Sequence, residues 1–162
     1  MIYFASIDSN VRYMISIYGG TGVTLTNQIW RLQKAAVRSV AGCGRIDHTD
    51  PIFASLNALS FPRLYAFSLV ANVYPSLRSL PRPEHSHDTR FAWAGLLLTT
   101  NYRKANCRKF PIPNFCILFN SLPEEMRDYR ECHLVCQRSF LLRMLKNYFM
   151  KTNTDDLRNM LN

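Results

Sequence analysis

The residues that could carry chemistry begin with two adjacent carboxylates, Asp155 and Asp156, near the end of the 162-residue sequence. Nucleic-acid polymerases use aspartates to bind two metal ions, which activate the attacking hydroxyl and stabilise the leaving group. Here no aromatic residue precedes the pair, and acidic residues at a helix start interact favourably with the helix dipole. The sequence therefore predicts a structural role for both aspartates, and we expect no catalytic residue in the chain.

A second group with metal-binding potential is Cys132, His133 and Cys136, which places two thiols about one helical turn apart. Structural zinc usually needs four ligands with a short Cys-x-x-Cys step. Cys107 and Cys116 do not supply that spacing. We therefore expect these cysteines to be small buried hydrophobic side chains, and we predict no metal and no cofactor.

Hydrolase and phosphate-loop chemistry is disfavoured by what surrounds the remaining candidates. Asp47-His48 and His87-Asp88 each place an acid beside a histidine, but no nucleophile turn or oxyanion hole accompanies them. The glycine-rich stretch 19–22 lacks the Lys-Ser/Thr ending of a phosphate loop. It is better interpreted as a helix stop.

The strongest functional signal is positive charge. Twenty Lys and Arg outweigh eleven Asp and Glu, which gives a net charge of +9 and favours polyanionic partners, RNA or DNA above all. The residues expected to contact backbone phosphates are Arg31, Lys34, Arg38, Arg45, Arg103, Lys104, Arg143 and Lys146. The alternative is that these charges form solvated helix faces with no nucleic-acid role.

Composition sets the class of protein. The chain is 48% hydrophobic and 12% aromatic, as globular proteins are, and its apolar runs fall far short of the ~20 residues that span a bilayer. Asp8 and Arg12 interrupt the first apolar pattern, unlike a signal peptide, and an odd number of cysteines, five, fits a reducing compartment. We expect one domain over 1–162, no membrane partner, and a cytoplasmic or nuclear location without secretion.

Hydrophobic periodicity and helix signals predict an all-α fold, an irregular bundle of about six helices. The first helix is expected over 2–17, with Gly19 and Gly20 ending it, and the second from Thr24 as N-cap to Gly42. One arc of the second helix, the expected packed face, holds Ile29, Trp30, Leu32, Ala36, Val37 and Val40. The opposite side carries Arg31, Lys34 and Arg38 as a cationic stripe.

Later elements are predicted from capping signals. Asp50-Pro51 and Ser60 with Pro62 are typical helix starts, and Ser121 to Glu124 matches a Ser-x-x-Glu capping box. The expected helices cover 51–59, 60–74, 132–150 and 155–161, and a further helix is expected to begin at the capping box. A Pro/His-rich loop is expected around 75–90 and a short helix or strand over 91–98. In 132–150 the apolar arc lies opposite Arg143 and Lys146.

The order of these landmarks resembles the C-terminal region of reverse transcriptases from non-LTR, LINE-type retrotransposons, particularly the jockey-like group, downstream of the catalytic palm. The segments that carry the resemblance are Tyr13 to Gly19, Leu32-Gln33-Lys34-Ala35-Ala36-Val37-Arg38, His48-Thr49-Asp50-Pro51-Ile52-Phe53, His85-Ser86-His87-Asp88-Thr89-Arg90 and Leu118-Phe119-Asn120-Ser121-Leu122-Pro123-Glu124-Glu125-Met126-Arg127. The similarity extends from about Ile2 to Met150.

The resemblance implies a thumb-like or post-thumb region that is noncatalytic by itself, supports a polymerase, and holds template RNA or target DNA. Its partners would be the nucleic-acid backbone and the upstream domains of the enzyme. The alternative is a helical protein-interaction module, and salt-dependent retention on RNA would separate the two. If 1–20 is a truncated start, the face with Phe4, Val11 and Ile15 should lie against missing structure, and the chain should self-associate through exposed apolar surface.

Overall fold

The computed structural model describes residues 2–80, 96–99, 110–127 and 135–161, and over these ranges it contains nine α-helices and no strand. This confirms the all-α prediction. The helices are α1 (Ser9–Arg12), α2 (Ile15–Tyr18), α3 (Val23–Ala41), α4 (Asp50–Ser55), α5 (Phe61–Val73), α6 (Pro111–Ser121), α7 (Glu124–Arg127), α8 (Val135–Lys151) and α9 (Thr154–Leu161). A π-helical turn, Phe4–Asp8, precedes α1, and a 3-10 helix, Tyr74–Ser79, follows α5.

Helix α5 is the centre of the bundle. It begins after Ser60, which is extended, with Pro62 in its first turn, where a missing N–H costs nothing. A helix that is apolar on all sides must be surrounded, and α5 packs against α1, α2, α3, α6, α8 and α9. Its buried residues are Phe61, Pro62, Leu64, Tyr65, Ala66, Leu69 and Val70.

The start of the chain differs from the prediction of one helix over 2–17. The chain passes from the π-helical turn into α1 and then bends at Met14, whose φ of 57° is left-handed, before α2 begins. The bend serves packing, because Ile15 is buried against α5 and Val11 lies at the edge of the same cluster. Val11 and Ile15 therefore pack inside this chain, so the expectation that this face lies against missing structure is wrong for these two residues. For Phe4, which is 38% exposed, it stays a prediction.

Two glycines that the sequence marked as helix ends act differently. Gly42 is left-handed, with φ of 66°, and the N–H groups of Gly42 and Cys43 bond to carbonyls in the last turn of α3, as predicted. Gly19 has an ordinary right-handed φ of −64°. It is glycine because a Cβ there would lie 2.2 Å from Cδ2 of Tyr65.

Several predicted caps are not used. Gly22, not Thr24, is the N-cap of α3. Helix α4 includes Asp50 and ends at Ser55, short of residue 59, because the chain turns through a left-handed Asn57. The side chain of Ser60 sits at the N-cap of α5 but makes no cap bond. Local signals locate these helix starts to within two residues, while the expected side-chain bonds do not form.

The Ser-x-x-Glu capping box is also absent. Ser121 is the last residue of α6, and its hydroxyl donates to the carbonyl of Leu118 at 2.7 Å. Helix α7 begins at Glu124, with the Pro123 carbonyl accepting the N–H of Met126. Because α6 runs through Ser121, this hydroxyl is committed to the preceding helix.

Proline also places structure where the sequence predicted none. The 3-10 helix Tyr74–Ser79 covers the first part of the expected loop 75–90, and residues 81–90 lie outside the described ranges, as do 91–95 and 100–109. Pro111 starts α6, a helix that the sequence did not predict. The amide of Asn120 holds this helix to Leu97: it accepts the Leu97 N–H at 2.9 Å and donates to the Leu97 carbonyl at 3.0 Å.

Two hydrophobic clusters make up the core. The larger surrounds α5 and takes Leu141, Leu145 and Phe149 from α8, one turn apart. The smaller joins Tyr3, Val37, Ile52, Phe53 and Ala58. Between the clusters the buried amide of Gln33 donates to the Tyr3 hydroxyl at 2.9 Å and to the Leu59 carbonyl at 3.1 Å.

In the described ranges, no helix combines the length and apolar character that crossing a membrane would require.

Candidate nucleic-acid interface

The packed face of α3 is rotated from the face that periodicity predicted. Val37 and Gln33 are almost completely buried, and Trp30 is half-buried. Leu32 is 71% exposed and Val40 is 42% exposed, so both belong to the outer surface. The prediction of a single packed arc from Ile29 to Val40 is therefore only partly correct.

Three arginines lie at the middle of α3, near its C-terminal end and in the turn that follows it. Arg31 and Arg38 are two helical turns apart on one side of α3, and Arg31 is exposed. The Arg38 guanidinium donates to the Asp47 carbonyl at 2.8 Å, which holds the turn against the helix. Asp47 also accepts the Gly44 N–H at 2.6 Å, and between them Arg45 is exposed.

The charges of these arginines are not neutralised. Within the described ranges, no carboxylate lies within ion-pair distance of Arg31, Arg38 or Arg45, whereas Arg12 pairs with Asp8. Exposed guanidinium groups without carboxylate partners attract phosphate, because binding releases counterions from the nucleic acid. We call Arg31, Arg38 and Arg45 the α3 arginine patch.

Lys34 has a different environment from the one expected. Its Nζ lies 3.6 Å from the centroid of the Trp30 ring, one turn earlier on α3. Partial burial lowers the pKa of Lys34, and the nearby cations Arg38 and Arg158 lower it further against the opposing effect of Asp50 and Asp155. Lys34 therefore contributes to packing as well as to charge, because its position borders the buried side of the helix.

The basic residues of α8 form a second surface. Arg143 is exposed and Lys146 is half-buried beside the packed positions Leu141 and Leu145. Both α3 and α8 pack on α5. Arg103 and Lys104 lie outside the described residues, so their predicted role stays a prediction.

Metal ligands are not gathered anywhere in the described ranges, where no three His, Cys, Asp or Glu side chains converge. Asp155 and Asp156 occupy the first turn of α9, as predicted. Cys132 and His133 lie outside the described residues, and so does the side chain of Cys136.

One cation beside the interface was not identified from the sequence. Arg158 of α9 donates to Oδ1 of Asn27 at 2.8 Å, and its guanidinium carbon lies 4.8 Å from the centroid of the Trp30 ring. Asn27 and Arg158 are 131 residues apart, so no local pattern joins them. Lys34 and Arg158 thus share one indole ring.

Comparisons of the chain with protein-family models, with curated proteins and with solved structures find no match. The case for an interface therefore depends on the charges and geometry of the chain itself.

Proposed function

We propose that this chain is a noncatalytic part of a retrotransposon reverse transcriptase, a C-terminal region that holds template RNA or target DNA beside the polymerase. The α3 arginine patch makes the principal contact, and Arg143 and Lys146 of α8 add a second. The contacts are to backbone phosphates, so they supply affinity without reading sequence. An intracellular site of action, cytoplasmic or nuclear, is part of the same proposal.

The observation that carries this proposal is the hydrogen bond from Arg38 to the Asp47 carbonyl. It holds the turn that carries the exposed Arg45 against α3, the helix that carries the exposed Arg31. Without carboxylate partners within the described ranges, the surface keeps its full charge. A chain with a net charge of +9 attracts polyanions over a distance set by ionic strength.

Asn120 belongs to the run Asn-Ser-Leu-Pro-Glu-Glu, one of the segments on which the resemblance to reverse transcriptases depends. Its amide satisfies both backbone groups of Leu97, which a side chain without paired donor and acceptor cannot do. Helix α7 begins within the same run, at Glu124. The run thus has a role in the fold of this chain.

A second candidate function, a helical protein-interaction module, is favoured by the outer surface of α3. Leu25, Leu32 and Val40 are 48%, 71% and 42% exposed and fall on one side of the helix, away from the side that carries Arg31 and Arg38. Exposed apolar residues that line up on a helix are typical of a docking surface.

The test measures binding to a single-stranded RNA at several salt concentrations. We compare the unmodified chain with the double variant Arg31→Gln, Arg45→Gln, because both side chains are exposed and neither supports the fold. Each lost phosphate contact should reduce the slope of log affinity against log salt by about 0.7, so the slope should fall by up to about 1.4.

The matched control is the double variant Arg143→Gln, Lys146→Gln, which removes the same charge from α8. The proposal expects a smaller loss of slope here than in the α3 variant. Equal losses in both variants would reduce the interaction to non-specific attraction by net charge. If the α3 variant binds RNA with unchanged affinity, the protein-interaction module is the better assignment. Template-dependent primer extension by the unmodified chain would contradict the proposal that the chain is noncatalytic.

A further inference from the structure

The turn that follows α3 carries an isoleucine that the fold leaves in solvent. Ile46 is 92% exposed, the highest value among the large hydrophobic side chains that the structure describes. Single exposed hydrophobic residues are common on protein surfaces, so exposure by itself indicates no site. Ile46 differs from the others in the construction of its turn and in the arginines beside it.

Three hydrogen bonds close the turn 44–47 and attach it to α3. The Gly44 carbonyl accepts the Asp47 N–H at 3.2 Å, and the Asp47 carboxylate accepts the Gly44 N–H at 2.6 Å. The Arg38 guanidinium donates to the Asp47 carbonyl at 2.8 Å. Arg45 and Ile46 are therefore the two central residues of a β-turn that is bonded at both ends. Ile46 projects into solvent from a backbone of restricted freedom.

Cations of the α3 arginine patch lie next to Ile46. Arg45 precedes it in the chain, and Arg38 is bonded to the residue that follows it. Arg31 lies two turns before Arg38 on the same side of α3, about 10 Å away along the helix axis. If these arginines contact phosphates, Ile46 is brought against the same nucleic acid.

An aliphatic side chain in this position favours a duplex over a single strand. Single strands are held by aromatic rings on which bases stack, and residues 42–47 include no aromatic side chain. Isoleucine has no flat face for stacking, but it is one of the side chains that proteins insert between base pairs from the minor groove. Such a wedge unstacks one base step and bends the duplex, which brings more backbone phosphates to the protein.

We propose that Ile46 is a wedge that inserts between two base pairs of duplex DNA from the minor groove and bends the duplex, while the α3 arginine patch holds the phosphates. This inference rests on the proposed function, because the arginines must first bind the nucleic acid. It selects duplex target DNA as the preferred partner of this surface. It also gives an uncharged residue a part in binding.

The test uses a short DNA duplex in which the fluorescent base 2-aminopurine replaces adenine at a single central TA step, a step that bends easily. Unstacking of this base raises its fluorescence. Binding of the unmodified chain should therefore raise the fluorescence, and Ile46→Ala should abolish the rise and lower affinity for the duplex about tenfold. The slope of log affinity against log salt should not change, because no charge is removed.

Two further variants control for the substitution itself. Ile46→Leu keeps an aliphatic side chain that can act as a wedge, so it should preserve the rise in fluorescence. Leu32→Ala truncates another exposed side chain, 71% exposed, on the side of α3 away from Arg31 and Arg38, and it should bind and unstack the duplex as the unmodified chain does. Ile46 is not left-handed, so alanine fits its backbone, and the melting temperature of Ile46→Ala should not fall.

The outcomes separate failure of the wedge from failure of the proposed function. Salt-dependent binding of the duplex without a rise in fluorescence, or with a rise that Ile46→Ala retains, would overturn the wedge and leave the arginine contacts intact. An equal loss of affinity in Leu32→Ala, or an equal loss for single-stranded RNA in Ile46→Ala, would also overturn it. Duplex affinity that is unchanged in Arg31→Gln, Arg45→Gln would contradict the proposed function as well.

Discussion

Helices α5 and α3 are both long, but they are buried in opposite ways. Helix α5 is enclosed by six other helices and contributes seven buried residues to the core. Helix α3 is longer, yet only Gln33 and Val37 are buried along its 19 residues. We infer that α5 mainly stabilises the fold, whereas most of the α3 surface is accessible to a partner.

The difference in burial between α5 and α3 can be tested most directly by truncating one leucine on each helix. Leu69→Ala on α5 should lower the free energy of unfolding by about 2–5 kcal/mol, because Leu69 is fully buried and its loss leaves a cavity. Leu32→Ala on α3, where the side chain is 71% exposed, should change it by no more than about 0.5 kcal/mol. Chemical denaturation of both variants measures the difference, and similar losses would contradict the distinction.

A second test places a methyl group against α5. Gly19→Ala puts a Cβ 2.2 Å from Cδ2 of Tyr65 and 2.6 Å from the Ile15 carbonyl oxygen, which should cost about 1–3 kcal/mol or more. Gly22→Ala is the control, since nothing lies within 4 Å of its added methyl, and it should cost less than about 1 kcal/mol. Thermal unfolding of the two variants should therefore rank Gly19→Ala clearly below Gly22→Ala.

The third test concerns the polar atoms that α5 buries. Tyr65→Phe removes the acceptor of the Asn114 side-chain N–H, a bond of 2.9 Å, and should cost about 1–3 kcal/mol at neutral pH. Burial raises the pKa of Tyr65 above its ordinary value of 10.0, although the Asn114 bond opposes this.

The direction of the pH dependence follows from that raised pKa. The stabilisation from neutral Tyr65 is present below pH 10.0 and is lost as pH rises above it, because the unfolded tyrosine ionises first. The difference in unfolding free energy between Tyr65→Phe and the unmodified chain should therefore narrow above pH 10.0. A constant difference would indicate that the hydroxyl is not buried in solution.

The smallest expected effect concerns the partial burial of Lys34 on α3. Burial lowers the pKa of Lys34 below its ordinary value of 10.5, so the protonated form is disfavoured in the folded chain. Stability should rise as pH increases through the folded pKa of Lys34 towards 10.5. Lys34→Gln should flatten that rise, measured by denaturation from neutral pH to just below the ordinary tyrosine pKa of 10.0. An unchanged rise would place Lys34 in open solvent.

Local sequence signals predicted where helices begin and end better than they predicted which side of a helix is buried. The stop at Gly42 and the acidic first turn at Asp155 are confirmed because both depend on backbone groups within a few residues. The predicted inner side of α3 was only partly correct, because it left out Gln33, which is buried and bonded to Tyr3 and Leu59, 30 and 26 residues away. No periodicity of apolar residues can place a glutamine in a core.

The residues of the candidate sites also differ in whether local spacing or tertiary packing brings them together. Arg31 and Arg38 could be found from the sequence, because a shared helix face follows from their spacing. The contact of Lys34 with Trp30 is also local, since residues four apart on a helix are neighbours. Arg158 could not be found, because its position beside Asn27 exists only once α9 packs near the start of α3.

The buried amide of Gln33 has a consequence for the cooperativity of unfolding. It joins the beginning of the chain, the middle of α3 and the turn before α5 at one point. If the first segment frayed, Gln33 would lose one of its two acceptors and Val37 would lose the cover of Tyr3. Chain ends normally open at almost no cost. In native-state hydrogen exchange we instead expect the amides of Ser9–Arg12 and those around Gln33 to exchange together, as one unit that opens with the core.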